Sequence, residues 1–162
     1  MRIFAATLLA LLFLLSGCTT HKNVQTQQLT EFKKMVRSEH KEIKDLKIQM
    51  APTQVAFNYH LSRKPDREAD KEIFLKTKAL ILSQEFQMTA IEESYFKHYD
   101  KDDRRYPNMI IRFYGTHKDK ADYQYTSDYY GPGVEGATDR PIDGYKTWYF
   151  DDLKSMGVPV TP

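Results

Sequence analysis

Apolar and polar residues alternate with different periods along this chain, and each change of period predicts a change of secondary structure. From residue 29, apolar side chains recur at helical spacing among lysines and glutamates, which predicts an amphipathic helix from 29 to about 43. The same spacing also fits a short coiled-coil seam. Residues 46–50 and 55–61 then alternate between apolar and polar side chains. They predict two half-buried strands, with Pro52 in the connection between them.

The second half of the chain repeats this order of helices followed by strands. Asp66 can cap a helix, and the capping-box spacing of Thr89 and Glu92 predicts a second helical segment after it. Residues 109–114 are mostly apolar and predict a buried strand, and residues 123–130 predict its hairpin partner.

Together these elements predict one α+β domain. Its antiparallel sheet has four or five strands, depending on whether residues 145–150 form a last strand or pack as an aromatic latch. An N-terminal helix and one or two further helices pack on one face of this sheet. The glycine-rich segment 131–144 is a long loop, and loops of this length are commonly functional or disordered.

The first residues of the chain have the pattern of a secretory signal peptide. Arg2 supplies a positive charge, and an uncharged apolar run follows at residues 3–15. A helix needs roughly 20 apolar residues to span a bilayer, so this run is short for a transmembrane helix. Residues 1–17 are therefore expected to be removed from the mature protein.

The apolar run ends in Leu15-Ser16-Gly17-Cys18, which resembles the lipobox of bacterial lipoproteins. The order of elements and residues 145–150 also resemble small bacterial lipoproteins, without indicating further functional residues. The lipobox resemblance implies that Cys18 becomes the first residue and carries acyl chains, and two or more such chains give stable membrane anchoring. It implies a domain outside the cytoplasm, on the cell membrane or, where Thr19 permits transfer, on the outer membrane.

The predicted domain organisation follows from this anchor. Residues 1–17 form the signal peptide, and residues 18–28 comprise the lipidated cysteine and a polar tether with almost no residue to bury. Residues 29–162 form a single domain. Removal of 17 residues from 162 leaves 145, enough for one domain with its own hydrophobic core.

Composition and charge exclude several classes of protein. Cys18 is the only cysteine, so the mature domain has no internal disulfide, no cysteine-based zinc site and no thiol nucleophile. Loss of Arg2 with the signal peptide lowers the count of Lys and Arg from 24 to 23, against 22 Asp and Glu. The domain is nearly neutral, and a nucleic-acid partner is not expected.

The residues that carry chemistry do not form a recognised catalytic spacing. The five histidines are scattered, and no motif of a serine hydrolase, zinc protease or phosphate-binding loop is present. Asp100, Asp102 and Asp103 resemble the start of a calcium loop, but Arg105 and Ile111 stand where that loop needs glycine and glutamate. No catalytic residue, metal site or cofactor is predicted.

Aromatic residues are concentrated in the C-terminal half. Ten of the eleven tyrosines and the single tryptophan lie between residues 95 and 149. Tyrosine covers apolar surface while its hydroxyl stays hydrated, so these residues either bind a partner or fill and cover a small sheet. The predicted binding surface consists of Tyr123, Tyr125, Tyr129, Tyr130, Tyr145 and Trp148.

The leading functional hypothesis is a non-enzymatic binding module that is held on a membrane by the lipid on Cys18. Its predicted partner is an envelope protein or a cell-wall glycan. Two alternatives stay open: an enzyme that acts on the cell wall with carboxylates on the aromatic face, and a structural spacer. The enzyme would need a buried carboxylate with a raised pKa in a cleft.

Overall fold

The computed structural model describes residues 21–115, 119–133, 140–155 and 157–160, which form a seven-stranded sheet with helices packed on it. The helices are α1 (Gln27–Glu39), α2 (Lys71–Leu82) and α3 (Gln84–Phe86), and α3 continues as a π-helical segment (Gln87–Tyr95) and two 3-10 turns (Phe96–His98 and Lys101–Asp103). The strands are β1 (Lys22–Asn23), β2 (Ile43–Ala51), β3 (Gln54–Leu61), β4 (Asn108–Tyr114), β5 (Tyr123–Ser127), β6 (Tyr149–Asp151) and β7 (Val158–Pro159).

The strands lie in the sheet in chain order, and each neighbouring pair is antiparallel except β3 and β4. These two are parallel because the helical connection returns the chain to the end of the sheet where β3 begins. The predicted α+β class and the N-terminal helix are confirmed. The predicted sheet of four or five antiparallel strands is wrong, because the sheet is mixed and has seven strands. Both edge strands have only two residues, too few for an alternating pattern.

All described helices pack on one face of the sheet. The Tyr59 hydroxyl of β3 lies 2.6 Å from the Thr77 hydroxyl of α2, and the Phe74 ring of α2 stacks on Tyr125 of β5 at 4.1 Å between centroids. Helix α1 buries Leu29, Phe32 and Val36 in the same core. The core therefore lies between a single helical layer and one side of the sheet.

The ordered domain begins earlier than the predicted boundary at residue 29. Lys22 and Asn23 pair with Met50 and Gln49 of β2, and Val24 is buried. Residues 22–28, which were assigned to a tether, therefore belong to the folded domain. Val24 is one apolar residue among polar ones, so no periodic pattern marked this strand.

The predicted capping box at Thr89 is wrong. The helical segment begins earlier, where the Ser83 hydroxyl accepts a hydrogen bond from the Phe86 amide. Thr89 lies inside it and donates its hydroxyl to the Glu85 carbonyl. The Glu92 carboxylate accepts hydrogen bonds from distant side chains instead of capping a helix, as described below.

The predicted signal peptide and lipobox lie outside the described residues. Among the residues that are described, no helix has the length and apolar character needed to cross a membrane.

Candidate binding surface

The side of the sheet that faces away from the helices carries polar side chains across five strands. Strand residues alternate between the two faces, so the neighbours of each core residue point away from the helices. We call this side the polar sheet face, and it comprises Lys47, Gln49, Asn58, Arg112, Tyr114, Gln124, Thr126, Tyr149 and Asp151. The alternation in β2 to β5 was visible in the sequence, but its polar half was not proposed as a site.

The strand register places five of these residues in one row. Lys47, Asn58, Arg112, Gln124 and Asp151 are consecutive cross-strand partners from β2 to β6. Arg112 donates from Nε to Gln124 Oε1 at 3.1 Å, and Gln124 donates from Nε2 to Asp151 Oδ2 at 3.0 Å. These hydrogen bonds hold the guanidinium of Arg112 in a fixed orientation on the sheet.

A second group of hydrogen bonds continues the polar sheet face toward β2. Asn58 donates from Nδ2 to Gln49 Oε1 at 3.2 Å and accepts the hydroxyl of Tyr114 at 3.4 Å. The Tyr114 ring stacks on His60, with 4.6 Å between centroids. Planar amide, imidazole and phenol groups therefore lie side by side over the centre of the sheet.

The groups that stay unpaired on this face are mainly hydrogen-bond donors. Within the described part of the chain, the terminal nitrogens of Arg112, the amide nitrogen of Gln49 and the ammonium of Lys47 have no hydrogen-bond partner. Asp151, in contrast, accepts from both Gln124 and the Leu153 amide. A second carboxylate, Asp45, lies at the corner of this face in register with His60. The centre of the face is thus suited to a ligand rich in acceptors or negative charge.

Four of the six residues predicted as an aromatic binding surface lie in the core instead. Tyr123, Tyr125, Tyr145 and Trp148 are buried, and the hydrophobic interior accounts for their side chains. The first two occupy alternate positions of β5 on the helical side, where strand periodicity directs them inward. A partner can contact them only if the core opens.

The remaining two residues, Tyr129 and Tyr130, are partly exposed and belong to a group at one end of the sheet. We call it the tyrosine cluster, and it comprises Tyr95, Tyr99, Tyr106, Tyr129, Tyr130 and Tyr145. Tyr106 and Tyr129 stack with 3.7 Å between centroids, and Tyr129 contacts Tyr145 at 5.3 Å. Tyr106, Tyr95 and Tyr99 are joined through contacts with Phe96.

Polar contacts fix this cluster from several sides. Tyr106 donates its hydroxyl to Glu92 Oε1 at 2.7 Å, and Arg104 donates to Glu92 Oε2 at 2.9 Å. Burial and the hydrogen bond to this carboxylate raise the pKa of Tyr106. The buried Tyr145 donates to the carbonyl of Pro107 at 2.8 Å. The carboxylate of Glu92 is therefore engaged in packing the turn between the helices and β4.

The most buried carboxylate of the described residues, Asp70, is occupied by structural partners. Its Oδ2 accepts the Tyr123 hydroxyl at 2.8 Å and the Asp66 amide at 2.9 Å, and its Oδ1 pairs with the Arg63 guanidinium. Burial and the hydrogen bond to Asp70 raise the pKa of Tyr123. This network joins the start of α2 to the end of β3 and the start of β5, as a buried ion pair with satisfied hydrogen bonds does.

Within residues 21–115, 119–133, 140–155 and 157–160, no group of three His, Cys, Asp or Glu side chains is arranged to hold a metal ion. Comparison of the chain with protein-family models, with curated proteins and with solved structures finds no match. The geometry of the polar sheet face is accordingly the basis for the functional proposal.

Proposed function

We propose that this chain is a lipid-anchored, non-enzymatic binding module of a bacterial cell envelope, and that its polar sheet face binds a carboxylate-bearing cell-wall glycan. The observation that carries the proposal is the set of unpaired donors on a sheet face that no described helix covers. Arg112 is oriented by Gln124 through Nε, which leaves its two terminal nitrogens for a bidentate contact with a carboxylate. Lys47 adds a second positive charge in the same row.

The composition of this face favours a glycan over a protein partner. Protein interfaces have an apolar centre from which charged residues are depleted. Here the apolar residues at the centre, Ala56 and Ile110, are themselves buried, and amide and guanidinium groups surround them. Sugar hydroxyls both donate and accept, which matches the free amide nitrogen of Gln49, and the Tyr114 ring offers an apolar surface.

A binding role is favoured over catalysis by the state of the acidic groups. Asp70 and Glu92 are held by ion pairs and hydrogen bonds that stabilise the fold, which leaves neither oriented toward the polar sheet face. A glycosidase needs two carboxylates within about 10 Å that flank the scissile bond. The two carboxylates of the polar sheet face, Asp45 and Asp151, lie on β2 and β6, which are four strand spacings or about 19 Å apart. The polar sheet face instead offers hydrogen-bond donors in a row that crosses five strands, as a binding surface does.

The test is co-sedimentation of the mature, detergent-solubilised protein with purified, protein-free cell-wall sacculi. Arg112→Gln removes one charge and the bidentate fork, and a hydrogen bond to a charged group contributes about 1.5–3 kcal/mol. We therefore expect the affinity for sacculi to fall about tenfold or more. Binding should also weaken as the salt concentration rises, because the contact is partly electrostatic.

Lys71→Gln is the matched control, since it removes one positive charge from an exposed position on α2, on the opposite side of the molecule. It should bind sacculi as the unaltered protein does. Equal loss in both variants, or no binding by either protein, would refute the glycan proposal. Release of soluble wall fragments during the assay would show an enzyme instead.

A further inference from the structure

The folded domain begins close to the expected lipid. This inference rests on the proposed anchor at Cys18. Lys22 is fixed by its pairing with Met50, and only residues 19–21 separate it from Cys18. Four residue steps span at most about 14 Å when fully extended. The end of the sheet that holds Lys22 must therefore lie next to the lipid headgroups, because the tether is too short to lift the domain away.

The strand directions identify which end of the sheet this is. Since β1 is antiparallel to β2 and Lys22 is in register with Met50, the chain before Lys22 leaves the sheet past the β2–β3 turn. The amide of Asn108, where β4 begins, donates to the Thr53 carbonyl in that turn at 2.9 Å. The same end therefore includes the starts of β4 and β6 and the end of β5.

The tyrosine cluster lies at this same end. The Tyr95 hydroxyl donates to the carbonyl of Pro52 in the β2–β3 turn, and Tyr145 donates to Pro107 just before β4. Tyr129 lies two residues after Ser127, the last residue of β5. Six tyrosine rings from distant parts of the sequence therefore lie at the end of the sheet that holds Lys22.

Exposed side chains at this end match those of a protein surface at the lipid interface. Ile142 is 68% exposed beside Tyr130, to which it is joined by a β-bridge, and Tyr99 is 36% exposed. The Arg140 guanidinium lies 5.7 Å from the centre of the Tyr130 ring. Tyrosine, with an apolar ring and a polar hydroxyl, is enriched at membrane interfaces, where an apolar side chain such as that of Ile142 can also be buried.

We propose that this end of the sheet rests on the lipid surface that holds the anchor, with Ile142 and Tyr99 at the level of the headgroups. The strands then stand away from the membrane, and the polar sheet face looks along the membrane surface, because side chains point perpendicular to the sheet. Charge contributes little to this contact, because the basic and acidic side chains at this end balance: Lys22, Lys97, Lys101, Arg105 and Arg140 against Asp100, Asp102, Asp103, Asp128 and Asp143. Zwitterionic lipid should therefore suffice.

The test uses the full lipidated protein in phosphatidylcholine vesicles that contain a nitroxide quencher on the headgroup. Acylation consumes the only cysteine, so a new cysteine can be labelled uniquely with a fluorophore. We compare Ile142→Cys at the anchor end with Lys154→Cys, an exposed position beyond β6 at the opposite end. Both side chains are exposed, so neither change disturbs the core. Quenching should be several-fold stronger at position 142.

Two measurements separate failure of the orientation from failure of the anchor. The mass of the mature protein reports the acyl chains, and Cys18→Ser should abolish vesicle attachment. Acylated, vesicle-bound protein with equal quenching at both positions, or stronger quenching at 154, overturns the orientation alone. A mature protein without acyl chains overturns the anchor and, with it, the argument for this orientation.

Discussion

At the scale of single residues, two neighbouring aspartates at the start of α2 have different roles: Asp66 caps a turn, and Asp70 forms a buried ion pair. The sequence predicted a cap at Asp66, and the Asp66 carboxylate does accept the Ala69 amide at 2.9 Å. Helix α2 begins later, at Lys71, and the Asp70 carboxylate turns into the protein toward Arg63 and Tyr123. Arg63 and Tyr123 are 7 and 53 residues away from Asp70 in the sequence. A capping pattern involves only the residues next to the start of a helix, so it did not reveal these contacts.

Removing the positive partner of Asp70 should be costly. Arg63→Met leaves a fully buried carboxylate without its charge partner, and breaking a buried pair in this way typically costs 3–5 kcal/mol. Because Arg63 is about one-third exposed, we expect a loss near the lower limit, about 3 kcal/mol, in the free energy of unfolding measured with urea.

The matched control for this prediction is Glu42→Gln, which removes the more exposed carboxylate that pairs with Arg63 at 3.4 Å. Such partly exposed pairs contribute about 1 kcal/mol or less. The combination of Arg63→Met with Asp70→Asn should recover part of the lost stability, because no charge is then buried. A similar loss for Arg63→Met and Glu42→Gln would argue against a special role of the buried pair.

At the scale of secondary-structure elements, long patterns were predictable and short ones were not. The helices around residues 29 and 73 and the four central strands follow from the period of their apolar residues, which is a local property. Strands β1 and β7 have no such period and exist because a neighbouring strand offers unpaired backbone groups. Because β1 is part of the sheet, the folded domain includes residues 22–28, which were predicted to form the tether.

Strand β1 should detach when Val24, the buried residue that directly follows it, becomes charged. Val24→Asp would place an unpaired carboxylate in the core, and local release of this edge segment costs less than unfolding of the domain. We expect limited proteolysis to cleave the chain before α1 while the rest of the domain stays resistant. Gln25→Asp, at an exposed neighbouring position, should leave the cleavage pattern unchanged. Equal resistance of both variants would contradict the assignment of β1 to the folded domain.

At the scale of the whole molecule, the parallel pairing of β3 and β4 at the centre of the sheet organises the fold. The connection between these strands contains all helices after α1, and these helices cover the face to which Phe57, Ile111 and Tyr125 point. The same arrangement leaves the polar sheet face without a helix from the described chain. It also brings the tyrosine cluster and the start of β1 to one end.

Hydrogen exchange should show that the central strands β3 and β4 are more stable than the edge strands β1 and β7. Amides in β3 and β4 are paired on both sides within the sheet, so they should exchange only when the domain unfolds globally. Amides in β1 and β7 lie at the edges and should exchange faster through local opening. Mass spectrometry of exchanged peptides measures the difference, and uniform protection across the sheet would rule out this order.

The sequence alone determined the α+β class, the main helices and central strands, and the small net charge, because these depend on the spacing and number of residues along the chain. It also carries the lipobox prediction, which lies outside the described residues. Only the tertiary structure decided which tyrosines are core residues, since burial depends on which elements pack together. It also decided the parallel pair, the burial of Asp70 and the row from Lys47 to Asp151. Each of these depends on contacts between residues that are distant in sequence, for which local periodicity contains no signal.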